Sequence, residues 1–267
     1  MVDRNIRDIF GFNRTIGDIG IEIEMEGNSP FPEGSAPLKL NWRAENDGSL
    51  RGYSKEYVIH SPIKIGEVDS HINNLKSLLK NSGCEIIYSF RAGVHVHINV
   101  QELTLQQMAT FACLYLCLEK ALVKFCGSQR EGNHFCLRAQ DAEYPVYLLE
   151  EVIKANDMSF LDTDNIRYSS MNLRAIPRYG SIEFRAMETL PDLSKIKEWC
   201  HMLYKLREEA KRIDIRKQIA YDVSFMGPDR WASSILGEDL FKLINYEGID
   251  RDIIRGLRMC QTIVYSE

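Results

Sequence analysis

Three segments of the chain alternate between hydrophobic and polar side chains with a period of two residues, the pattern of strands with one buried face. The alternating segments are residues 18–26, 94–100 and 181–186. Their hydrophobic positions are Ile19, Ile21, Ile23 and Met25, then Val94, Val96, Ile98 and Val100, and finally Ile182, Phe184 and Ala186. We therefore expect three half-buried strands whose opposite faces are polar.

Helices are predicted where hydrophobic residues recur every three or four positions. One stripe begins near Val68 and ends at Gly83, and a longer apolar helix opens at a Thr104–Gln107 capping box and ends near Gly127. Further helical patterns cover residues 147–155, the segment after a Ser194 cap, and patches at 239–243 and 251–259. The shorter strand candidates are 57–59, 84–90 and 167–173, and the turn-rich stretches are 27–37 and 42–52.

The strands and helices alternate irregularly, and strands adjoin tight turns more often than crossover helices. This order predicts an α+β fold in which one antiparallel β-sheet has helices packed on one face. We expect an N-terminal lead-in over residues 1–16, a main domain over 17–212, and a helical C-terminal extension over 213–267 that packs on the same domain.

The composition is that of an ordinary globular protein, with 267 residues of which 45% are hydrophobic and 27% are charged. A net charge of −5 without a basic block argues against nucleic acid or an anionic membrane surface as the main partner. The chain has no apolar run of roughly 20 residues and no secretory signal pattern in its first twenty residues. Seven cysteines without a C-x-x-C pair fit reduced thiols, so we expect a cytoplasmic protein of undetermined oligomeric state.

Each alternating strand places two chemically active side chains on its polar face, about 6.5–7 Å apart. The pairs are Glu22 and Glu24, His95 and His97, and Glu183 and Arg185. For any one of these strands alone, a solvated outer face would explain the polar side chains. Neighbouring carboxylates on a sheet repel one another, however, and a bound cation would relieve that repulsion.

The side chains on these faces suit divalent cations. Carboxylate oxygens are ligands for Mg²⁺ or Mn²⁺, and imidazole nitrogen is acceptable to Mn²⁺ and Zn²⁺. An arginine beside such ligands fits a site that holds cations against phosphate oxygens. The three faces together therefore predict a metal-dependent site for a phosphate-bearing ligand.

Five short motifs follow one another in the order found in a known protein family. They are G-I-E-I-E at 20–24, D-G-S-L at 47–50, E-Y-V-I-H-S-P at 56–62, A-G-V-H-V-H-I at 92–98 and Y-G-S-I-E-F-R-A-M-E-T-L at 179–190. Over roughly residues 17–205 the chain resembles the amidoligase family, whose relatives are carboxylate–amine ligases of the glutamine synthetase and glutamate–cysteine ligase type.

The resemblance implies a glutamine-synthetase-like catalytic domain that uses ATP and Mg²⁺ or Mn²⁺. In this chemistry a carboxylate substrate attacks the γ-phosphate of ATP, and an amine substrate attacks the resulting acyl phosphate to form an amide. Both substrates vary within the family, from small molecules to peptides or proteins. Because the chain has no G-x-x-x-x-G-K-[ST] motif, phosphate binding would depend on metals and arginines.

The resemblance also assigns roles to individual residues. The residues that correspond to metal ligands are Glu22, Glu24, His95 and Glu183. The catalytic candidates are Arg185 beside the phosphoryl group, Glu56 as a further acidic residue, and His97, whose role is less defined because glutamine synthetases usually have Asn there. Asn172, Arg174 and Arg178 precede the last strand and are candidates for contact with nucleotide phosphate or substrate carboxylate.

The sequence leaves the roles of Arg130 and Asp47 open. Arg130, in a loop with Asn133, is a candidate for binding the nucleotide or the substrate, and a surface position is the alternative. Asp47 is either a ligand or a residue that forms the turn.

Two other functions are compatible with the sequence. A metal-dependent hydrolase or phosphodiesterase would use the H-x-H motif and the carboxylates to activate a metal-bound water, although no second His/Asp set has dinuclear spacing. A catalytically inactive relative would keep the fold as a binding module. Such a module should tolerate Gln at Glu22 and Glu183, or even gain stability as repulsion falls.

Overall fold

The computed structural model describes residues 4–32 and 41–266. Within these ranges the strands are β1 (Ile19–Gly27), β2 (Trp42–Glu45), β3 (Tyr53–Ile59), β4 (Ile86–Ile87), β5 (Gly93–Asn99), β6 (Met171–Asn172) and β7 (Ser181–Glu188). The helices are α1 (Ile6–Phe10), α2 (Val68–Ser82), α3 (Leu105–Cys126), α4 (Tyr144–Ala155), α5 (Ala175–Tyr179), α6 (Ile196–Ala210), α7 (Lys217–Met226), α8 (Pro228–Leu236), α9 (Glu238–Ile244), α10 (Ile249–Met259) and α11 (Gln261–Tyr265). Residues 1–3 of the predicted lead-in, 33–37 of the predicted loop and residue 267 of the predicted extension lie outside the described residues.

The strands form one antiparallel sheet in the order β2-β3-β1-β5-β7-β6, and β4 pairs with β1 beside this path. The prediction of an α+β fold with an antiparallel sheet is therefore confirmed. In the register, Glu22 of β1 lies opposite His95 of β5, and His97 lies opposite Glu183 of β7. The three alternating strands are thus neighbours, and their polar faces lie side by side.

The apolar face of the central strands is covered by α3 and α6. The ring of Phe184 lies 5.6 Å from that of Phe111 on α3 and 6.4 Å from that of Trp199 on α6, measured between centroids. The predicted capping box opens α3, because Thr104 and Gln107 each accept a hydrogen bond from the backbone N–H of the other. The helix therefore starts at a fixed position over the sheet.

A bulge interrupts the pairing of β5 with β7. Two residues of β7, Arg185 and Ala186, lie opposite the single residue His95 of β5. Bulges add a residue to one strand and change the direction of the neighbouring side chains. The regular alternation of side chains between the two faces of β7 is therefore interrupted beside His95.

Several elements differ from the sequence-based prediction. Trp42–Glu45, predicted as turn-rich, forms an edge strand because Trp42 is buried and its indole N–H donates to the His71 carbonyl. Ser194 does not cap α6, which begins after Lys195 without a side-chain cap. The strand candidates 84–90 and 167–173 are limited to the two-residue pairings of β4 and β6, and the sequence pattern did not predict β2, α1, α5, α7, α8 or α11.

The segment predicted as a lead-in is tied to the rest of the chain through α1. Ile6 is fully buried, and its backbone N–H donates to the Leu103 carbonyl at 2.9 Å. The division into lead-in, main domain and extension remains a prediction.

The composition predicted reduced cysteines and no membrane-spanning segment. The seven cysteines are all buried free thiols in the structure. None of the helices in the described ranges has both the length and the apolar character that a bilayer crossing requires. A cytoplasmic location remains a prediction.

Helix α10, near the C-terminal end of the chain, packs directly on α3. A Cβ atom added at Gly256 would lie 2.4 Å from the Leu116 carbonyl oxygen and 2.7 Å from the Cα atom of Cys117. One turn away, the Lys120 ammonium contacts the Asp252 carboxylate at 2.9 Å. Glycine is therefore required where the two helix backbones meet.

Gly256→Ala is expected to lower the free energy of unfolding by about 1–3 kcal/mol, because the added methyl group forces α10 away from α3. Denaturant unfolding followed by circular dichroism measures the change. Gly66→Ala is the matched control, because a Cβ atom at Gly66 meets no atom within 4 Å. Equal midpoints for the wild type and Gly256→Ala would contradict the close helix contact.

Candidate metal and phosphate site

The polar faces of β1, β5 and β7 converge on His95, on the side of the sheet away from α3. The His95 Nδ1 atom is 3.3 Å from a Glu22 oxygen and 3.5 Å from a Glu183 oxygen. Its Nε2 atom is 3.7 Å from a Glu24 oxygen. The structure therefore brings together the four residues that the sequence predicted as metal ligands.

Glu56 joins this cluster from the neighbouring strand β3, where it pairs with Glu24 of β1. Two groups of three side chains have ligand atoms that all lie within 4.8 Å of one another. These groups are Glu22, His95 and Glu183, and Glu24, Glu56 and His95. Oxygen-rich sets with one imidazole suit Mg²⁺ or Mn²⁺, so the donor atoms fit two cation positions that share His95. We call these five residues the carboxylate cluster.

His97 lies at one end of the carboxylate cluster. Its Nε2 atom is 3.4 Å from a Glu22 oxygen, and its Nδ1 atom is 3.0 Å from the Ser181 hydroxyl. Gly20 lies opposite His97 on β1 and leaves room for the imidazole ring. His97 is thus held beside Glu22 in a fixed orientation.

Arg185 and Asn172 fix the other end of the cluster. The Arg185 guanidinium forms an ion pair with Glu183 and lies 3.4 Å from the His95 Nδ1 atom. The Asn172 amide donates to the second oxygen of Glu183 at 2.6 Å. Asn172, predicted to contact nucleotide or substrate, thus orients a carboxylate of the cluster.

The pKa values show that Glu22 and Glu183 are held as carboxylates. Burial alone would raise both pKa values. Hydrogen bonds from His95 and His97 nevertheless bring the pKa of Glu22 well below its ordinary value. The charges of Arg185 and His95 likewise bring the pKa of Glu183 below its ordinary value.

Glu56 differs from these two carboxylates, because burial and acidic neighbours determine its pKa. Burial, followed by the charges of Glu22 and Glu24, raises the pKa of Glu56 to about 8. The tolerance of Gln at Glu22 and Glu183 that a binding module would show stays a prediction. The contacts with His95, His97 and Arg185 already compensate charge at these two carboxylates. The repulsion from Glu22 and Glu24 acts on Glu56, and a cation there would favour its ionised form.

A cavity of about 360 Å³ opens beside Glu24 and His95, and we call it the arginine cavity. Four arginines line it, and they are Arg91, Arg130, Arg167 and Arg185. Sequence reasoning missed Arg91 and Arg167. Arg91 directly precedes the 92–98 motif, which could have indicated it, whereas Arg167 lies in a segment without any such signal.

Arg130 is 1% exposed, so the surface position considered for it is wrong. Its Nη2 atom donates to the Arg185 carbonyl at 2.6 Å, but Nε and Nη1 have no hydrogen-bond partner among the described residues. A buried charge without partners is costly. A Cβ atom at Gly93 would lie 2.8 Å from Nη2, so glycine makes space for this side chain. Arg130 therefore carries two buried donors whose hydrogen-bonding capacity is not used by the described residues.

Arg174 and Arg178 do not line the arginine cavity. Arg174 forms an ion pair with Asp164, and Arg178 lies 3.5 Å from Asp162. These ion pairs do not support the predicted contact of Arg174 and Arg178 with nucleotide phosphate or substrate carboxylate. Asp47 does line the cavity, and it also forms the turn, because its carboxylate accepts the Ser49 N–H at 2.5 Å.

Comparison with known families bears on the whole site. A family described as "putative amidoligase enzyme" matches residues 49–206, which is more than half of the chain. The chain therefore belongs to this amidoligase family, and membership indicates an enzyme of the ligase type. A search of curated proteins gives no match. The match includes Glu56, His95 and Glu183, whereas Glu22 and Glu24 precede it.

In the metal-free protein, Glu56→Gln and Glu183→Gln are expected to shift stability in opposite directions at pH 9. The raised pKa of Glu56 means that its stabilising contribution is complete below about pH 4.5 and is lost as the pH rises through about 8. Glu56→Gln is therefore expected to be more stable than the wild type at pH 9, because Gln does not ionise. The lowered pKa of Glu183 stabilises the fold at high pH, and Glu183→Gln is expected to lose that stabilisation.

Urea unfolding with a chelator present, at pH 5, 7 and 9, measures both effects. The advantage of Glu56→Gln over the wild type should grow from pH 5 to pH 9. Shifts of the same sign for both variants would contradict the assigned electrostatics.

Proposed function

We propose that this chain is an ATP-dependent carboxylate–amine ligase that forms an amide bond through an acyl phosphate, with Mg²⁺ or Mn²⁺ as the required cation. The proposal rests on one observation, the direct contact between the carboxylate cluster and the arginine cavity in a member of the amidoligase family. A ligase of this kind needs a cation site beside a phosphate site.

The carboxylate cluster is the part that would hold cations. Glu22, His95 and Glu183 would form one position, and Glu24 and Glu56 would complete a second with the same imidazole. When bound, divalent cations neutralise charge on phosphate oxygens, which carboxylates by themselves do not do. The raised pKa of Glu56 beside Glu22 and Glu24 supports this assignment, because a cation would favour the ionised form of its carboxyl group.

The arginine cavity is the part that would bind the phosphates. Arg130 has two buried donors, Nε and Nη1, without partners in the described part of the chain, and three further arginines line the same cavity. Guanidinium groups are strong donors to phosphate oxygens. Arg185 lies between the cavity and the cluster, since it contacts both Glu183 and His95. We assign it to the transferring phosphoryl group, where a guanidinium stabilises developing negative charge.

A second pocket, of about 200 Å³, lies beyond Glu22 on the same face of the sheet. It is lined by Glu22, His97, Tyr179 and the apolar residues Ile59 and Pro62, and none of its described lining residues is Lys or Arg. This asymmetry favours the acid and the phosphates on the arginine side and the amine in the second pocket. His97 lies beside Glu22 in the lining of this pocket.

A hydroxylamine trap tests the proposed reaction without knowledge of the amine. The chain is incubated with ATP, Mn²⁺, hydroxylamine and a panel of carboxylic acids, and both ADP and hydroxamate are measured. Equal amounts of ADP and hydroxamate are expected, and only with the matching acid. A folded chain that binds neither ATP nor Mn²⁺ would refute the proposal.

Two cation positions that share His95 also fit a metal-dependent hydrolase, in which metal-bound water attacks a phosphoester. The same preparation distinguishes this second candidate. Cleavage of a phosphodiester with Mn²⁺ and without ATP would favour hydrolysis over ligation.

Glu22→Gln and Glu183→Gln are each expected to weaken Mn²⁺ binding about tenfold or more, because each removes a charged ligand. Isothermal titration calorimetry measures the affinity. Glu102→Gln is the control, since Glu102 is an exposed partner of Arg7. Unchanged Mn²⁺ affinity in both variants would support a binding module instead of a ligase.

Arg130→Gln is expected to weaken ATP binding roughly 10- to 100-fold, the effect of losing charge-assisted hydrogen bonds worth about 1.5–3 kcal/mol. Fluorescence titration with a labelled ATP analogue measures the loss. Arg212→Gln is the control, because Arg212 is exposed and pairs with Glu209. Wild-type affinity in a folded Arg130→Gln variant would contradict the role of the cavity, and Arg178→Gln tests the sequence-based assignment of that residue.

A further inference from the structure

Glu119 is a buried carboxylate on the apolar helix α3, and it belongs to neither the carboxylate cluster nor the arginine cavity. It is only 3% exposed. Burying a carboxylate is costly unless hydrogen bonds compensate it. Both Glu119 oxygens accept from the Ala139 N–H, at 3.1 and 3.0 Å, and one also accepts a short hydrogen bond from the Ser170 hydroxyl.

These two partners belong to different loops. Ala139 lies in residues 127–142, which we call the first loop, and Ser170 ends residues 162–170, the second loop. The loops are also joined directly, because the Leu137 N–H donates to the Tyr168 carbonyl and the Ser170 N–H donates to the Leu137 carbonyl, both at 2.7 Å. Glu119 therefore lies beneath the junction of the two loops.

The two loops contribute four of the residues that line the arginine cavity. The first contributes Arg130 and Phe135, and the second contributes Arg167 and Tyr168. The rings of Phe135 and Tyr168 meet edge to face at 6.2 Å, and the Arg167 guanidinium lies over the ring of Tyr168. An interaction that fixes the junction of the two loops therefore also fixes the positions of Arg130 and Arg167.

The junction also reaches strand β7. The Ser170 carbonyl accepts the Arg185 N–H at 2.9 Å, while the Arg130 guanidinium donates to the Arg185 carbonyl. Arg185 is thus linked through its backbone to Ser170, which Glu119 contacts, and Arg130 is linked through its side chain to Arg185.

We propose that Glu119 is a positioning residue for the arginine cavity, acting through Ala139 and Ser170. The inference rests on the proposed binding of phosphate in that cavity. By tying both loops to the rigid helix α3, Glu119 sets the distance between Arg130 and Arg167.

The chemistry of the contacts explains why an acceptor is needed here. Ala139 and Ser170 both donate, so an apolar side chain would leave two buried donors without partners. The cost of burial is visible in Glu119 itself, because burial raises its pKa to about 7 despite the hydrogen bonds from Ser170 and Ala139. Gln would keep most of the arrangement, since its carbonyl accepts from Ala139 and the Ser170 hydroxyl is free to turn and accept from the amide.

Three variants of the full chain test the proposal. Glu119→Ala removes the acceptor, Glu119→Gln keeps an acceptor of the same shape, and Thr110→Ala is the control. Thr110 is equally buried on α3, but its hydroxyl donates only within the helix, to the Gln106 carbonyl. Hydrogen–deuterium exchange reports on the loops, and calorimetric titration with inorganic triphosphate reports on the cavity.

Glu119→Ala is expected to raise exchange in residues 131–142 and 162–170 and to weaken triphosphate binding about tenfold or more. Glu119→Gln should restore both to near wild-type values, and Thr110→Ala should change neither. Wild-type exchange and affinity in Glu119→Ala would overturn the proposal. Equal losses in Glu119→Ala and Thr110→Ala would also overturn it, because they would reflect general loosening of α3.

Two further outcomes are distinguishable. If Glu119→Ala does not fold, Ser170→Ala replaces it and should raise exchange in residues 162–170, and no increase there would overturn the proposal. If the wild-type chain does not bind triphosphate, the proposed function fails. The exchange data still decide then whether Glu119 positions the two loops.

Discussion

The site depends on one electrostatic constraint, the placement of several carboxylates around a single buried imidazole. Glu22, Glu24 and Glu183 all lie within 3.7 Å of a His95 ring nitrogen. Such an arrangement is stable only if positive charge balances it. His97 and Arg185 supply that balance at the two ends of the cluster, whereas burial and acidic neighbours raise the pKa of Glu56. This difference supports the proposed binding of cations on this face.

The same constraint divides the face into two sides of different character. On one side four arginines line the arginine cavity, and on the other the second pocket is lined by Glu22 and His97 without a described Lys or Arg. Anionic and cationic reactants would therefore approach the carboxylate cluster from opposite directions. That separation suits a reaction in which a phosphorylated acid meets an amine.

Helix α3 supports both the fold and the site. Its Phe111 packs against Phe184 on the hydrophobic face of the sheet, and its Glu119 contacts two loops that contribute to the lining of the arginine cavity. The core and the cavity therefore share one rigid element. Because loops without such an attachment are mobile, a buried acceptor at their junction gives the arginines fixed positions.

The sequence by itself determined which residues share a face within each strand, because the two-residue period is a local property of the backbone. It thereby predicted the pairs Glu22 and Glu24, His95 and His97, and Glu183 and Arg185, and the family resemblance added Glu56. Only the tertiary structure decided which strands are neighbours, where the bulge at Arg185 falls, and that Arg91, Arg130 and Arg167 line one cavity. It also decided that Arg174 and Arg178 pair with aspartates of a loop. These outcomes depend on contacts between residues far apart in the chain, and no local pattern encodes them.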